Sequence, residues 1–360
     1  MPPMASKRTD GRYKVSLIAN GKRHYFYGRT LKQAKDKRDI FANESKQATH
    51  FDDTLTMRSW VDKWLTLKRP SITQNTYESY TGIIKRYILP TLGNFKLYEI
   101  NYIMLRKIIA DIKLSSRTVN YTHTILKAIF EQAVIDEILV RNPMAKVPKV
   151  KANDKKEMVT LSREQVKEFI GVITNKEHKA LFTLAFATGL RRSELLGLRW
   201  SDINFRKRTL SVNQTAIKVN GHSEIVKSTK NKSSKRTISL DEATLTVLRK
   251  HKLVIDTRRI RTLNWINNDL IFPGIKGNPR NPDEISVTCK KYAAQIGVPT
   301  FTMHGTRHTH ATLLIEAGVN FKIVQMRLGH ASFRETMDTY SHVTPILEQD
   351  VTQKIASIFA

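Results

Sequence analysis

Two polar segments interrupt the apolar periodicity of this 360-residue chain, and they restrict the fold to a series of small domains. The first runs from Gln47 to Thr54, and the second begins at Asn142-Pro143 and continues into a lysine-rich stretch. Segments of this composition favour extended, flexible chain over packed structure. We therefore predict domains at 1–50, 54–145 and 160–360, with a basic linker at 146–159.

The first fifty residues have the pattern of a small sheet followed by a helix. Apolar and polar residues alternate over 13–17, Asn20-Gly21 is a strong hairpin signal, and helical periodicity runs over 31–46. A basic sheet of this kind can lie in a DNA groove, and a solvated basic face is the alternative. The basic residues expected on this face are Arg12, Lys14, Lys22, Arg23 and Arg29.

The middle segment is helical throughout. Apolar residues recur at helical spacing from about residue 54 to Ile138, and Pro90 and Gly93 interrupt them. We predict a compact bundle of about four helices without an obvious catalytic cluster.

The last segment mixes helices and strands. Ser162 with Gln165 forms a capping-box signature, and helical periodicity continues to about Leu198. Residues 203–240 contain three short strand-like stretches, after which helices resume. The fold class is therefore α+β, mainly α, in three domains.

Charge is the main indication of a partner. The chain has 61 Lys and Arg against 32 Asp and Glu, a formal net charge of +29, and each of the three domains is basic. Such an excess predicts a polyanionic partner, most plausibly nucleic acid touched at several points. A generally basic, soluble protein is the alternative.

Other classes are excluded by what the sequence lacks. Cys289 is the only cysteine, so neither an internal disulfide framework nor a cysteine-based zinc module is expected. There is no apolar run long enough for a membrane span, and residues 1–10 do not resemble a secretory signal. We expect a cytoplasmic protein.

Three stretches of the last domain contain residue types suited to chemistry on a phosphate. They are Thr188-Gly189-Leu190-Arg191-Arg192-Ser193-Glu194-Leu195, then His304-Gly305-Thr306-Arg307-His308, then Leu328-Gly329-His330 with Tyr340 ten residues later. The order Arg, His-x-x-Arg, Gly-His, Tyr resembles the tyrosine recombinase (phage integrase) family. The resemblance covers essentially the whole chain, and it is to lambda-integrase-like members. It implies an arm-type DNA-binding domain at 1–50, a core-site DNA-binding domain at 54–145 and a catalytic domain at 160–360.

The resemblance implies a role for each matched residue. Arg191 and Arg307 would clamp the scissile phosphate, because guanidinium forks suit two non-bridging oxygens. Tyr340 would be the nucleophile, His304 would assist its proton transfer, and His330 would hydrogen-bond a phosphate oxygen. A sixth residue, Glu194, would orient the guanidinium of Arg191.

A lysine would protonate the leaving 5′-hydroxyl. The run from Thr229 to Ile238 resembles the family's Thr-Lys-x-Lys-Ser-Ser pattern, and that match selects Lys230. The family places this lysine on a β-hairpin whose length varies, so a shift of two residues is possible and Lys232 is the alternative.

Two other interpretations of these residues have less support. Tyr340 in an amphipathic helix resembles an ordinary buried phenol, but the capping signal Ser332 with Glu335 starts a helix that carries it. The histidines His304, His308 and His310 are close in sequence, but Gly305 stands where a zinc-protease motif needs Glu, and Arg307 would repel a cation. No metal and no cofactor is expected.

The resemblance implies a site-specific DNA recombinase that integrates and excises phage or mobile-element DNA through a covalent 3′-phosphotyrosine. It also implies a protein associated with the nucleoid of a bacterial host. A type IB topoisomerase and a catalytically inactive DNA-binding regulator are the alternatives. The partners implied are double-stranded DNA at core and arm sites and a homotetramer on DNA, with an excisionase and a host DNA-bending protein as further candidates.

The apolar stripe Leu347, Val351 and Ile355 predicts a C-terminal helix, which would pack either on its own domain or on a neighbouring protomer.

Overall fold

The computed structural model describes residues 6–7, 10–19, 22–47, 54–151, 158–219, 221–227, 235–330 and 332. The chain forms two compact units, 1–155 and 156–360, whose boundary falls within the segment predicted as a linker. Lys230, Lys232, Tyr340, the hairpin signal Asn20-Gly21 and the predicted C-terminal helix lie outside the described residues.

The N-terminal module is an antiparallel sheet covered on one face by a helix. Its elements are β1 (Ser6–Lys7), β2 (Tyr13–Ala19), β3 (Lys22–Gly28) and α1 (Leu31–Gln47), and the strand order is β1-β2-β3. The predicted sheet and helix are confirmed, with Ala19 paired to Lys22 on either side of the predicted turn.

Strand alternation separates the two faces of this sheet. Val15 lies opposite Phe26, and the ring of Phe26 lies 5.1 Å from that of Phe41 on α1, so this face is covered. Lys14 lies opposite Tyr27 and therefore belongs to the other face. We call the set Lys14, Ser16, Ile18, Arg23, Tyr25 and Tyr27 the open face.

The helical part of the first unit contains more helices than predicted. Its α-helices are α2 (Met57–Lys68), α3 (Gln74–Ile83), α4 (Leu89–Leu92), α5 (Tyr102–Asp111) and α6 (Ser116–Ile135). A π-helical segment, Ile84–Ile88, connects α3 directly to α4. Pro90 lies in the first turn of α4, directly after the π-helical segment, and does not end this helical run. Two buried tryptophans, Trp60 and Trp64, lie in the core, and the Trp60 indole donates to the carbonyl of Ile129 at 3.1 Å.

The first residues of the predicted linker are anchored rather than free. Val147 is buried in the helical core, and its carbonyl lies 2.7 Å from Nε2 of His123. Asn120 on α6 exchanges two hydrogen bonds with the backbone of Val150, each 2.9 Å long. The proline- and lysine-rich composition did not reveal these contacts, because α6 supplies the partners.

The second unit is mixed, as predicted, with more strands than the three expected. Its helices are α7 (Arg163–Gly171), α8 (Lys176–Thr188), α9 (Arg192–Gly197), α10 (Glu242–Arg261), α11 (Pro282–Gln295), α12 (Met303–Glu316) and α13 (Phe321–Leu328). Its strands are β4 (Ile203–Asn204), β5 (Thr209–Val212), β6 (Gln214–Val219), β7 (His222–Lys227) and β8 (Arg236–Ser239). They form one antiparallel sheet of order β4-β5-β8 and the separate hairpin β6-β7.

Aromatic packing fixes the centre of this unit. The fully buried ring of Phe169 on α7 lies within 6.2 Å of four other aromatic rings, those of Phe182, Phe186, Tyr292 and Phe301. The capping box of Ser162 and Gln165 at the start of α7 is confirmed. No helix in the described ranges is both long and apolar enough to cross a bilayer.

Candidate functional site: an arginine and histidine cluster on three helices

A glycine turn positions the first arginine. Helix α8 ends at Thr188, and Gly189 takes a left-handed conformation with φ of 63°. This conformation ends α8, and Arg191 is the N-cap residue of α9. A Cβ atom on Gly189 would meet Cδ2 of His310 at 2.6 Å, so the turn also needs the absence of a side chain.

Glu194 holds Arg191 from one turn further along α9. Its Oε2 accepts from the backbone N–H of Arg191 at 2.9 Å, and its Oε1 accepts from Nη1 of the same residue at 3.0 Å. The Glu194 side chain is only 4% exposed, whereas that of Arg191 is 36% exposed. This geometry agrees with the orienting role that the sequence suggested for Glu194.

Sequence reasoning missed Arg236, the first residue of β8. Its Nη1 and Nη2 donate to Oε1 and Oε2 of Glu194 at 3.1 and 2.9 Å, and its Nε donates to the carbonyl of Arg327 at 2.7 Å. The only local signal was its position directly after the lysine-rich run. Its partners lie 42 and 91 residues away.

Helix α12 carries the second arginine and the first histidine. Arg307 is 2% exposed, and its Nη1 donates to the carbonyl of Gly189 at 2.9 Å. The same glycine turn thus fixes both arginines. His304 lies one turn earlier on α12, beside a cleft of about 670 Å³ whose lining includes Lys290 and His308.

A second glycine turn positions His330. Helix α13 ends at Leu328, and Gly329 adopts a left-handed φ of 68°. The backbone of His330 then bonds back to Gln325, with its N–H on the carbonyl of that residue at 3.2 Å. Nη2 of Arg191 donates to the carbonyl of Gly329 at 3.3 Å, and this hydrogen bond connects the first arginine to the turn that precedes His330.

The arginines of this region lower the pKa values of both histidines. Burial, then the charges of Arg307, Arg191 and Arg236, lower the pKa of His330 to about 4, and His304 acts in the same direction. Burial and the charges of Arg307 and Arg191 also lower the pKa of His304. Burial and the arginine charges therefore both favour the neutral form of the two imidazoles.

Glu194 stays ionised in this environment. Its burial would raise the pKa of the carboxyl, but the hydrogen bonds and charge of Arg236 and the charge of Arg191 outweigh burial. The pKa of Glu194 therefore lies below its ordinary value. An ionised carboxylate accepts hydrogen bonds from both guanidinium groups.

Hydrogen bonds of His310 and Arg327 support the turn at Gly189, and we call this pair the brace. The sequence did not predict it. Nδ1 of His310 donates to the carbonyl of Phe186 at 2.7 Å, and Nε2 accepts from Nε of Arg327 at 3.1 Å. Nη2 of Arg327 donates to the carbonyl of Ala187 at 2.9 Å. Burial, followed by the charge of Arg327, lowers the pKa of His310 to about 4, which agrees with a neutral ring in this position.

The remaining histidines do not share one centre. The rings of His304 and His308 are in edge-to-face contact at 4.6 Å, whereas His310 faces Phe186 and Arg327. In the part of the chain that the structure describes, there is no group of three or more His, Cys, Asp or Glu residues placed to hold a metal ion. Tyr292, which follows two lysines in the sequence, is buried, and its hydroxyl lies 3.1 Å from Nδ1 of His178.

The basic residues expected on the N-terminal sheet divide into two groups. Lys14 and Arg23 belong to the open face, where Nζ of Lys14 lies 3.8 Å from the centre of the Tyr25 ring. Arg12 and Arg29 are exposed beyond the ends of β2 and β3. Lys22 begins β3, and its side chain lies outside the described part of the structure.

Comparison with known proteins identifies the family from the sequence. Residues 159–345 match the model of the phage integrase family, and residues 56–112 match that of the phage integrase N-terminal SAM-like domain. The chain is 30% identical to a tyrosine recombinase XerC-like protein of Caldanaerobacter subterraneus subsp. tengcongensis, over 96% of this chain and 99% of that protein. It is 29% identical to the ICEBs1 integrase of Bacillus subtilis, over 78% of this chain and 77% of that protein.

Two solved structures show the likeness of fold. The Tn1549 transposon integrase, in complex with transposon right end DNA, matches with a TM-score of 0.68 at 23% identity, covering 84% of this chain and all of that chain. A lambda integrase dimer bound to a COC′ core site matches with a TM-score of 0.61 at 20% identity, covering 94% of this chain and 95% of that chain.

Proposed function

Since this chain belongs to the phage integrase family of tyrosine recombinases, it is a site-specific recombinase, and we propose that it cuts and rejoins DNA through a covalent 3′-phosphotyrosine on Tyr340. The substrate would be double-stranded DNA at the attachment sites of a phage or another mobile element. The product of each round would be integrated or excised element DNA.

The grouping of three arginines beside His330, at the two glycine turns, is the observation that carries this proposal. Three guanidinium groups, those of Arg307, Arg191 and Arg236, act on one neutral imidazole, and Arg307 is almost fully buried. Placing positive charge in a site of low dielectric is favourable when an anion binds there. A phosphodiester offers two non-bridging oxygens, which match the planar forks of Arg191 and Arg307.

The chemistry follows from these positions. The phenolic oxygen of Tyr340 attacks the scissile phosphorus, the bond to the 5′-oxygen breaks, and the phenolic proton leaves through neutral His304. Lys230, or Lys232 as the alternative, gives its proton to the departing 5′-oxygen. Resealing reverses each transfer, so the energy of the phosphodiester is kept in the phosphotyrosine and no nucleotide cofactor or metal ion is needed.

The two parts of the first unit would bind different DNA. The helical segment 54–145 would bind core sites, and the open face of the N-terminal sheet would bind arm sites through Lys14, Arg23 and Tyr25. Arg12, Arg29 and Lys22 would add contacts at the ends of the strands. A homotetramer would bring two core sites together, and an excisionase and a DNA-bending protein would set the direction of the reaction.

The test uses a nicked DNA substrate, from which the cleaved fragment diffuses away so that the covalent complex accumulates. The wild-type protein should form a DNA adduct that survives denaturation, and Tyr340→Phe should bind the same DNA without forming it. Adduct formation by Tyr340→Phe would exclude Tyr340 as the nucleophile. Cleavage that stops when EDTA is added would contradict the metal-free mechanism.

The lysine is assigned with the same substrate. Lys230→Ala should slow cleavage far more than Lys232→Ala. Replacing the bridging 5′-oxygen by sulfur should restore the rate, because a thiolate leaves without a proton. The reverse order of the two variants would assign the role to Lys232.

A further inference from the structure

Arg236 occupies a position between two parts of the candidate site. Its fork grips both carboxylate oxygens of Glu194, and its Nε holds the carbonyl of Arg327. The side chain is 7% exposed. Arg327 lies in the last turn of α13, directly before the Gly329 turn that places His330. One guanidinium thus joins the end of α13 to the carboxylate that orients Arg191.

The chemistry of this position suits arginine alone. A guanidinium presents N–H groups in a fixed plane, so one side chain donates to two carboxylate oxygens and to a carbonyl at once. An ammonium group has no fixed fork and leaves part of this set without a donor. Glu194 is buried, and losing a charged partner there is costly because the carboxylate would be left without compensation.

Glu194 transmits this restraint to Arg191. The carboxylate accepts from the backbone N–H and Nη1 of Arg191 on one side and from Arg236 on the other. A shift of the Glu194 carboxylate therefore moves the guanidinium of Arg191, which is the more exposed partner. Arg191 also bonds to the carbonyl of Gly329, two residues after the carbonyl that Arg236 holds.

We propose that Arg236 is a positioning residue, which aims Arg191 at the scissile phosphate through Glu194 and fixes the end of α13 before His330. This inference rests on the proposed function, because it takes the scissile phosphate as the group at which Arg191 is aimed. Arg236 acts on the charge of the phosphate through Arg191 and has no part in protonating the leaving group.

The experiment compares Arg236→Lys with Arg249→Lys in the full-length protein. Arg249 also forms an ion pair with a glutamate of its unit, Glu242, but both side chains are about half exposed. Single-turnover cleavage of the nicked substrate is measured on a normal phosphate and on a scissile methylphosphonate, which lacks the negative charge. DNA affinity and thermal unfolding are measured on each variant.

On the normal phosphate, Arg236→Lys should cleave on the order of 10²-fold more slowly, as expected for a displaced catalytic group. Its DNA affinity should remain within a few-fold of wild type, and Arg249→Lys should match wild type. On the methylphosphonate the loss should shrink, as it should for Arg191→Lys, because there is less charge to neutralise. The double variant Arg191→Lys/Arg236→Lys should be no slower than Arg191→Lys alone.

Wild-type cleavage by Arg236→Lys would overturn the inference. The inference would also be overturned if Arg236→Lys lowered the cleavage rate equally on both substrates and lowered it by the same factor again in the Arg191→Lys background. Such a pattern would indicate that Arg236 acts independently of Arg191. A loss repaired by the bridging 5′-sulfur would assign Arg236 to the leaving group instead. Should Arg236→Lys fail to fold, Glu194→Gln tests the same link from its other end, and its loss must also shrink on the methylphosphonate.

Failure of the proposed function has a different signature. In that case the wild-type protein itself forms no adduct at Tyr340 on the normal phosphate. If Arg191→Lys is impaired while Arg236→Lys is not, only the positioning role of Arg236 is lost.

Discussion

At the scale of single residues, the site depends on backbone conformations that few side chains permit. Gly189 and Gly329 both take left-handed conformations, and each lies one or two residues before a functional side chain. The carbonyl of Gly189 accepts from Arg307, and that of Gly329 accepts from Arg191. The two glycines thus end their helices and also supply hydrogen-bond acceptors to the arginines.

Gly189→Ala should destabilise the second unit more than Gly318→Ala. Both glycines have positive φ, 63° and 78°, but only the space at Gly189 is filled, by the His310 ring and by Leu328 at 2.9 Å. The ring is held by two hydrogen bonds, so overpacking should add about 1–3 kcal/mol to the backbone cost that the two variants share. Chemical denaturation measures both, and equal losses would show that the ring moves aside freely.

His310 should make stability depend on pH. Its pKa in the folded protein is about 4, below the ordinary 6.5, so between these values the unfolded chain binds a proton that the folded chain does not. The free energy of unfolding should therefore fall as pH decreases from 6.5 towards 4, and His330 should contribute in the same direction. In His310→Gln the free energy of unfolding should change less with pH over this range. The difference should correspond to at most one proton taken up on unfolding. An unchanged slope would mean that His310 is already charged in the folded protein.

At the scale of elements, helix α9 holds described strands on either side of the segment 228–234. Gln214, at the start of β6, donates to the carbonyl of Gly197 at 2.7 Å, and it pairs across the hairpin with Lys227. Arg236, at the start of β8, is bound to Glu194. The described ends of the chain on both sides of residues 228–234 are therefore fixed to the same short helix.

Gly197→Ala should separate α9 from β6. A Cβ atom there would meet the Cα of Thr215 at 2.9 Å and the carbonyl oxygen of Gln214 at 3.0 Å, and backbone atoms cannot rotate away. We expect a loss of stability of about 1–3 kcal/mol and slower cleavage of the nicked substrate.

Gly171→Ala is the matched control for that variant. Gly171 also ends a helix, α7, but a Cβ atom there meets nothing within 4 Å. Its stability and cleavage rate should stay close to those of wild type. If the two variants behave alike, contact between α9 and β6 does not position the hairpin.

At the scale of the whole molecule, the net charge of +29 is spread over both units, and only a few of the basic groups belong to the arginine and histidine cluster. Most of the remainder would contact the DNA backbone without reading its sequence. Binding should therefore weaken steeply as salt increases, since each phosphate contact releases counterions.

The open face of the N-terminal sheet can be tested by charge-matched variants. Lys14→Ala/Arg23→Ala removes two charges from the open face, and Lys32→Ala/Lys35→Ala removes two from exposed positions on α1. The first pair should weaken binding to arm-site DNA and reduce the salt slope by about 2, because each phosphate that is no longer neutralised lowers the slope by about 1. The second pair should leave both unchanged, and neither should alter cleavage at an isolated core site. Equal effects would indicate general attraction rather than a docked sheet.

The sequence by itself determined the order and the kinds of residue in the site. Arg191, His304, Arg307 and His330 were selected because their order resembles that of the tyrosine recombinase family, and Glu194 because it follows Arg191 by three residues. The structure places all five in one region of the second unit. Periodicity also indicated the sheet-plus-helix module, the helical segment and the mixed last domain, because amphipathic spacing and capping signals are local properties of the chain.

Only the tertiary structure decided what holds these residues in place. Arg236, the brace of Arg327 on His310, and the anchoring of Val147 and Val150 have partners 17 to 91 residues away. No short pattern encodes such contacts, because a guanidinium is recruited by whichever carboxylate and carbonyls the fold brings within reach. The sequence thus specified which side chains are suited to binding a phosphate, and long-range packing specified their positions and orientations.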